Sequence, residues 1–172
     1  MYRRFGAAVT VIERGSRLIA REDEDVSEAM RQMLEAEGIV IRTNAECISF
    51  SPHPRGAVVQ VSSASGAAEI IASHVLIAVG RRPNTDELGL EAAGINVDQQ
   101  GYIKVGEDLQ TSVPGIYALG DCNARGAFTH TSYNDYEIVA ANVLNGEARQ
   151  VSDRTAAYAL YTDPPLGRVG MT

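Results

Sequence analysis

Two rhythms of apolar and polar positions run along this chain, and the change between them divides it. Ala7 to Glu13 read AAVTVIE, an unbroken apolar and β-branched run closed by a carboxylate, which predicts a parallel strand covered on both faces. Val26, Met30, Met33 and Leu34 then recur at helical spacing. Asp25 and Glu28 stand at capping-box separation and Gly38 is placed as a left-handed terminator, so a helix follows the strand. Ile39 to Ile41 supply the next apolar run, and strand, helix, strand is the order of a parallel crossover. Met1 to Phe5 fit only the last turn of a helix ending at Gly6, while a run as apolar as AAVTVIE calls for a further parallel neighbour. The chain is therefore expected to begin inside a βαβ unit.

From Cys47 to Val79 the pattern changes to short alternating stretches, broken at Pro52, at Pro54-Arg55-Gly56 and at Ser65-Gly66. This predicts a β-meander of about three strands, the last being His74 to Val79, which is apolar throughout and ends at Gly80. Between Arg81 and Gly101, turn residues at Pro83, Asn84, Gly89, Gly94 and Gln99-Gln100-Gly101 surround a short helix expected at Thr85 to Ala93, and a domain boundary is expected there. Residues 102 to 105 and 116 to 119 read as two short strands. A helix from about Thr131 to Leu144 stops at Asn145-Gly146, and Ala156 to Thr162 reads as a strand broken by Pro164-Pro165.

Composition narrows the function. At 172 residues, 45% hydrophobic and 22% charged, the chain has the make-up of a globular protein with a sizeable core. Its net charge is -7 and no stretch gathers basic residues into a stripe, so nucleic acid is not expected as a partner. The longest apolar runs fall far short of the roughly 18 to 20 residues that cross a bilayer, so no membrane span is expected. Met1-Tyr2-Arg3-Arg4 ahead of Phe5 to Ile12 imitates a signal peptide, but Glu13 and Arg14 end the run early and no cleavage site follows, which predicts a cytoplasmic protein. Cys47 and Cys122 have neither CxxC spacing nor a neighbouring His pair, so free thiols are expected in place of a metal site or disulfide.

Two positions carry candidate chemistry. Glu13 closes an apolar strand, where doubly wound nucleotide domains place an acidic side chain on the adenosine ribose hydroxyls; a solvated strand-end cap is the competing reading. A carboxylate there would repel a 2′-phosphate and favour NADH over NADPH. Thr111-Ser-Val-Pro-Gly-Ile-Tyr-Ala-Leu-Gly-Asp121 is more specific, because it delivers an aspartate through Gly120 at the end of an apolar run, in reach of the hydroxyls of a ribose or ribitol. The helix that follows offers unpaired N–H groups and a positive dipole end to an electron-rich ring or an anion.

These runs resemble the pyridine nucleotide-disulfide oxidoreductases, the flavoprotein family of dihydrolipoyl dehydrogenase, glutathione reductase and mercuric reductase. The matching stretches are Val9 to Glu13, Leu76-Ile-Ala-Val-Gly-Arg-Arg-Pro-Asn84, Leu88 to Ile95, Gly101 to Val105, Thr111 to Asp121, Tyr161-Thr-Asp-Pro164 and Val169-Gly-Met-Thr172. The resemblance implies an α/β fold of partial doubly wound, Rossmann-like FAD- and NAD(P)-binding domains with a β-meander. It divides the chain into residues 1–80 of an NAD(P)-binding domain, 81–152 of an FAD-binding domain and 153–172 opening an interface domain. By the same resemblance Glu13 binds the NAD ribose, Cys47 lies by the adenine through its backbone, and Gly80 lines the dinucleotide groove. Gly120 and Asp121 meet the FAD ribitol, and Ala127, Phe128, Thr129 and His130 present backbone N–H groups to the flavin ring. His130 is assigned no acid or base role.

Several family features have no counterpart in this sequence: the glycine-rich turns that open both dinucleotide domains, the redox-active cysteine pair and the C-terminal histidine and glutamate pair. No catalytic or metal-ligating residue is therefore assigned. The expected function is part of an FAD-dependent NAD(P)H oxidoreductase that passes a hydride from nicotinamide to flavin and onward to a disulfide, a metal ion or a similar acceptor. Phe128-Thr-His-Thr-Ser-Tyr-Asn-Asp-Tyr136 leans toward mercuric reductase-like relatives. A dihydrolipoyl dehydrogenase-type subclass, or a non-catalytic subunit completed by another chain, are the alternatives. Cofactors are expected to be FAD and NAD(H), with NADP(H) less favoured, and binding of neither by the fragment alone is the alternative; the isolated chain is expected to be inactive and to form a homodimer or higher oligomer.

Overall fold

The computed structural model describes residues 1–63 and 66–171, with the backbone alone at Cys47 and Ser63; Ser65 of the expected turn and Thr172 of the final motif lie outside the described residues. The chain forms two compact units, residues 1–78 and 79–171, which are taken in turn.

In the first unit a single 3-10 turn, Tyr2–Phe5, ends at Gly6 in the left-handed conformation (φ 94°). Its arginines reach the far end of the first helix: Arg3 Nε donates to the Glu37 carbonyl at 2.8 Å, and Arg4 pairs with the Glu37 carboxylate at 2.5 Å. Strand β1 (Thr10–Ile12) pairs in parallel with β2 (Val40–Arg42), joined by helix α1 (Glu24–Ala36). The crossover matches the sequence pattern, but the strand is shorter than AAVTVIE. A ladder runs only as far as its neighbour supplies groups, and here it runs from Val40 N–H on Val9 O to Glu13 N–H on Arg42 O. Ala7 and Ala8 are exposed and Val11 and Ile12 only half-buried, so the expected cover on both faces is absent among the described residues.

Helix α1 begins two residues earlier than its capping-box spacing suggests. Asp23 is the N-cap and makes no side-chain cap bond, while Asp25 sits inside the first turn and accepts from Val26 N–H at 2.8 Å. Glu28 is taken instead by Arg31, which also pairs with Glu35, so the guanidinium wins the carboxylate that a capping box would need. Gly38 terminates the helix as expected, at φ 81°.

The meander is β3 (Cys47–His53), β4 (Gly56–Ser63) and β5 (Gly66–Ala72), antiparallel in that order. Ala45, Val59 and Val61 form its buried centre, with Ile12, Ile48 and Ile70 packed against them. Three strands were expected, but the third is Gly66–Ala72 and not His74 to Val79. The latter run is irregular, with no ladder partners among the described residues, and Leu76 and Ile77 stand 81% and 65% exposed. Apolar character alone does not make a strand where no edge is offered to it.

The second unit is mostly turns up to residue 123. The helix expected at Thr85 to Ala93 is reduced to hydrogen-bonded turns, with Ala93 N–H on Gly89 O at 3.2 Å and Ile95 N–H on Leu90 O at 2.9 Å. The two strands expected at 102–105 and 116–119 are single bridges, Val97 with Ile103 and Gln110 with Tyr117. Their amides are shared among separate partners, as with Ile103 N–H on Cys122 O and Lys104 N–H on Asn96 O, and so no continuous ladder forms. A 3-10 turn, Gly120–Asn123, leads to helix α2 (Thr129–Asn145), which begins two residues earlier than its pattern indicated and stops at left-handed Gly146. The hairpin β6 (Ala157–Leu160) and β7 (Leu166–Val169) closes the unit; the sequence pattern pointed to its first strand only.

Candidate functional site

Within the first unit, Glu13 follows β1 directly, and its backbone is held on both sides. Its N–H bonds Arg42 O at 2.8 Å and its carbonyl accepts Ala45 N–H at 3.1 Å. Oε1 accepts Gly15 N–H at 2.7 Å, which fixes the plane of the carboxylate and leaves Oε2 to another donor. The Ala45 contact carries the chain from the end of β1 toward Cys47, the first residue of β3. Gly80 belongs to the other unit, where it has φ 135° and open space around the position a Cβ would take.

In the second unit Gly120 has φ 77°, a conformation that favours glycine, and a Cβ there would lie 3.1 Å from Ser132 Oγ in the first turn of α2. The turn thus packs closely on the start of the helix. Asp121 projects from it half-exposed, 3.5 Å from Arg81 Nη1. Cys122 donates to Leu119 O at 3.3 Å; burial, reinforced by the carboxylates of Asp135 and Asp121, pushes its thiol above the ordinary value, so it is a poor nucleophile.

Helix α2 opens with Phe128 at the N-cap, which supplies no side-chain acceptor to the first-turn N–H groups of Thr129, His130 and Thr131. Ser132 N–H already turns back to Phe128 O at 3.0 Å. His130 Nε2 lies 2.7 Å from Ala157 O, which makes that nitrogen the donor. The Phe128 ring stacks between His130 (5.3 Å) and Tyr158 (5.5 Å), and Arg168 covers Tyr158 at 5.9 Å. The ladder locks the start of α2 onto β6. The structure therefore gathers Gly120, Asp121 and the Phe128 to His130 segment in one unit.

Sequence reasoning missed four residues at this site: Arg81, Asn123, Asp135 and Arg154. Asp135 is 1% exposed, and its Oδ2 accepts Gly120 N–H and Asn123 Nδ2, both at 2.9 Å. Arg154 pairs with Oδ1 of the same carboxylate. A signal for Asp135 was present, since Thr131, Asp135, Ile138 and Ala141 share the buried face of α2 and a carboxylate on such a face demands partners.

Known proteins are similar to this chain over nearly its whole length. The family model described as pyridine nucleotide-disulphide oxidoreductase matches residues 1–141. Dihydrolipoyl dehydrogenase of Thermus scotoductus is 34% identical over 174 residues, covering 100% of this chain and 37% of that protein. The probable pyridine nucleotide-disulfide oxidoreductase RclA of Escherichia coli is 37% identical over 173 residues, covering 100% and 38%. Mercuric reductase of Streptomyces lividans is 31% identical over 172 residues, covering 100% and 36%. Among solved structures, the HOCl-induced flavoprotein disulfide reductase RclA of Escherichia coli superposes with a TM-score of 0.87 at 36% identity, over 99% of this chain and 38% of that one. The chain thus spans little more than a third of the length of these relatives. A match over residues 1–141 of 172, carried by the same α/β architecture, establishes that the chain belongs to the pyridine nucleotide-disulphide oxidoreductase family.

Proposed function

We propose that this chain forms part of an FAD-dependent NAD(P)H oxidoreductase, with residues 79–152 contributing to the flavin site and residues 1–78 to the nicotinamide dinucleotide site. The observation that carries the reading is the pairing of a half-exposed Asp121 with the uncapped start of α2 in one unit. That donor set fits a flavin nucleotide. Asp121 accepts from ribitol hydroxyls, and the N–H groups of Thr129, His130 and Thr131, with the positive end of the helix dipole, face the electron-rich edge of the ring. Arg81 must yield its contact with Asp121 or bridge to the ligand alongside it. In the first unit, the Glu13 carboxylate oriented by Gly15 N–H accepts from the adenosine ribose, and Cys47 contributes its backbone. Bound FAD supplies the hydride acceptor that connects nicotinamide to the final oxidant.

The acceptor is proposed to be a disulfide or a metal ion, in the range covered by the relatives' names. The Phe128 to Tyr136 segment is the feature that supports this over a dihydrolipoyl dehydrogenase subclass, and the relatives include both kinds. The flavin assignment is tested by titrating FAD to millimolar concentration into the isotope-labelled chain and following backbone amide shifts. Shifts confined to Gly120 to Asn123 and Ala127 to Thr131, and lost at the turn in Asp121→Ala, are expected. Wild-type shifts that are absent or scattered would overturn the assignment.

A further inference from the structure

Asp135 and Arg154 form a buried ion pair behind the Asp121 turn, and its geometry has a direction. One carboxylate oxygen, Oδ2, holds Gly120 N–H and Asn123 Nδ2, the residues that bracket Asp121. Asn123 also donates to Ala118 O at 3.0 Å and accepts Arg125 N–H at 2.8 Å, so the turn is fastened at both ends. The other oxygen is taken by Arg154, which is 14% exposed and itself oriented by a 2.7 Å bond from Nε to Asn134 Oδ1. Arg154 Nη1 is buried without a hydrogen-bond partner. A fold that needed only packing at position 135 would be better served by an apolar side chain, like Ile138 and Ala141 on the same face, because a buried ion pair rarely stabilises more than a hydrophobic replacement. What an apolar residue cannot do is accept the Gly120 and Asn123 donors and fix the turn between them.

We infer that Asp135, aimed by Arg154, is a positioning residue that sets the Asp121 carboxylate for a polyhydroxyl ligand, the flavin ribitol on the reading above. Asp135 does not touch the ligand, since the turn lies between them. The inference rests on the flavin assignment, so its test has one arm that needs no flavin. In the labelled chain, Asp135→Asn should speed hydrogen exchange at Gly120 about tenfold, the equivalent of one charge-assisted hydrogen bond, while amides in the middle of α2 and in β6 and β7 keep their protection. Asn123→Ala, which leaves the ion pair intact, should loosen the same amide by a smaller factor, and it decides the matter if Asp135→Asn does not fold. In the flavin arm, Asp135→Asn should weaken FAD binding about tenfold in the wild-type background and not at all in Asp121→Ala, because the effect passes through Asp121. Unchanged Gly120 exchange in a folded variant, or an additive loss of affinity, overturns the inference. Wild-type chain that shows normal Gly120 protection but no FAD shifts overturns the flavin assignment and leaves only the fastening of the turn.

Discussion

Replacing Gly120 by alanine adds a single methyl group where two separate costs meet. The first is conformational: at φ 77° an L-residue gives up roughly 1 kcal/mol relative to glycine. The second is steric, because the new Cβ would lie 3.1 Å from Ser132 Oγ, and that hydroxyl is already engaged with Phe128 O at 3.3 Å and cannot swing away without losing its acceptor. At the low end of overpacking costs this adds about 1 kcal/mol, for a total of about 2 kcal/mol. Gly146 is the internal control, with φ 69° and nothing within 4 Å of its Cβ position, so Gly146→Ala should cost only the first part, about 1 kcal/mol. Every tyrosine except Tyr2 lies in residues 79–171 and the chain has no tryptophan, so tyrosine emission during urea unfolding reports this unit. In a Ser132→Ala background the cost of Gly120→Ala should fall to that of Gly146→Ala. An equal loss at the two glycines, or a Gly120 loss that survives removal of the serine hydroxyl, would show that the turn does not press on α2 as described.

Two further outcomes follow from the first unit and from the exposed apolar run. In an enzyme assembled on the proposed function, Glu13→Ala should weaken discrimination against NADPH by about 1 to 3 kcal/mol, read from the ratio of kcat/KM for the two cofactors; equal use of both without the substitution would count against the assignment. The 172-residue chain should run as a dimer or higher oligomer in light scattering at low micromolar concentration. A stable monomer would show that the exposed apolar positions at Leu76, Ile77 and Val79 tolerate water unaided.

Local signals were legible where the responsible residues are close in sequence. Gly38 and Gly146 end their helices because a left-handed residue closes the helix within one turn, and the meander follows from alternation between Gly-rich breaks. The Gly120-Asp121 turn was legible for the same reason. The failures share a different cause. Whether 102–105 is a strand depends on a partner that the run itself does not contain, and Ile103 finds Cys122 while Lys104 finds Asn96. Arg31 displaced the capping box by taking Glu28 from the helix end, and hydrogen bonds from Arg31 and Gln32 hold the Glu28 carboxyl down to about 2. Asp135 was overlooked because its donors come from residues 120, 123 and 154, which the fold alone brings together.

The same distinction explains where the exposed apolar surface lies. The sequence pattern marks Val9, Val11 and Ile12 as the positions most in need of cover, yet α1, β2 and the meander leave them half-buried, with Ile12 against Ala45 and the Val59–Val61 centre. The exposed apolar residues include instead Val75, Leu76, Ile77 and Val79, which an apolar pattern assigns to a strand and which the described residues leave without a ladder. Hydrophobic pattern reports the environment a segment suits, and pairing reports the neighbours it has. Where the two disagree, the segment holds apolar area worth about 25 cal/mol per Å² to any surface that covers it, and backbone groups that gain once they are paired. Association driven from this run should therefore be weakened by Leu76→Lys or Ile77→Lys and left unchanged by charges placed at the half-buried Val11.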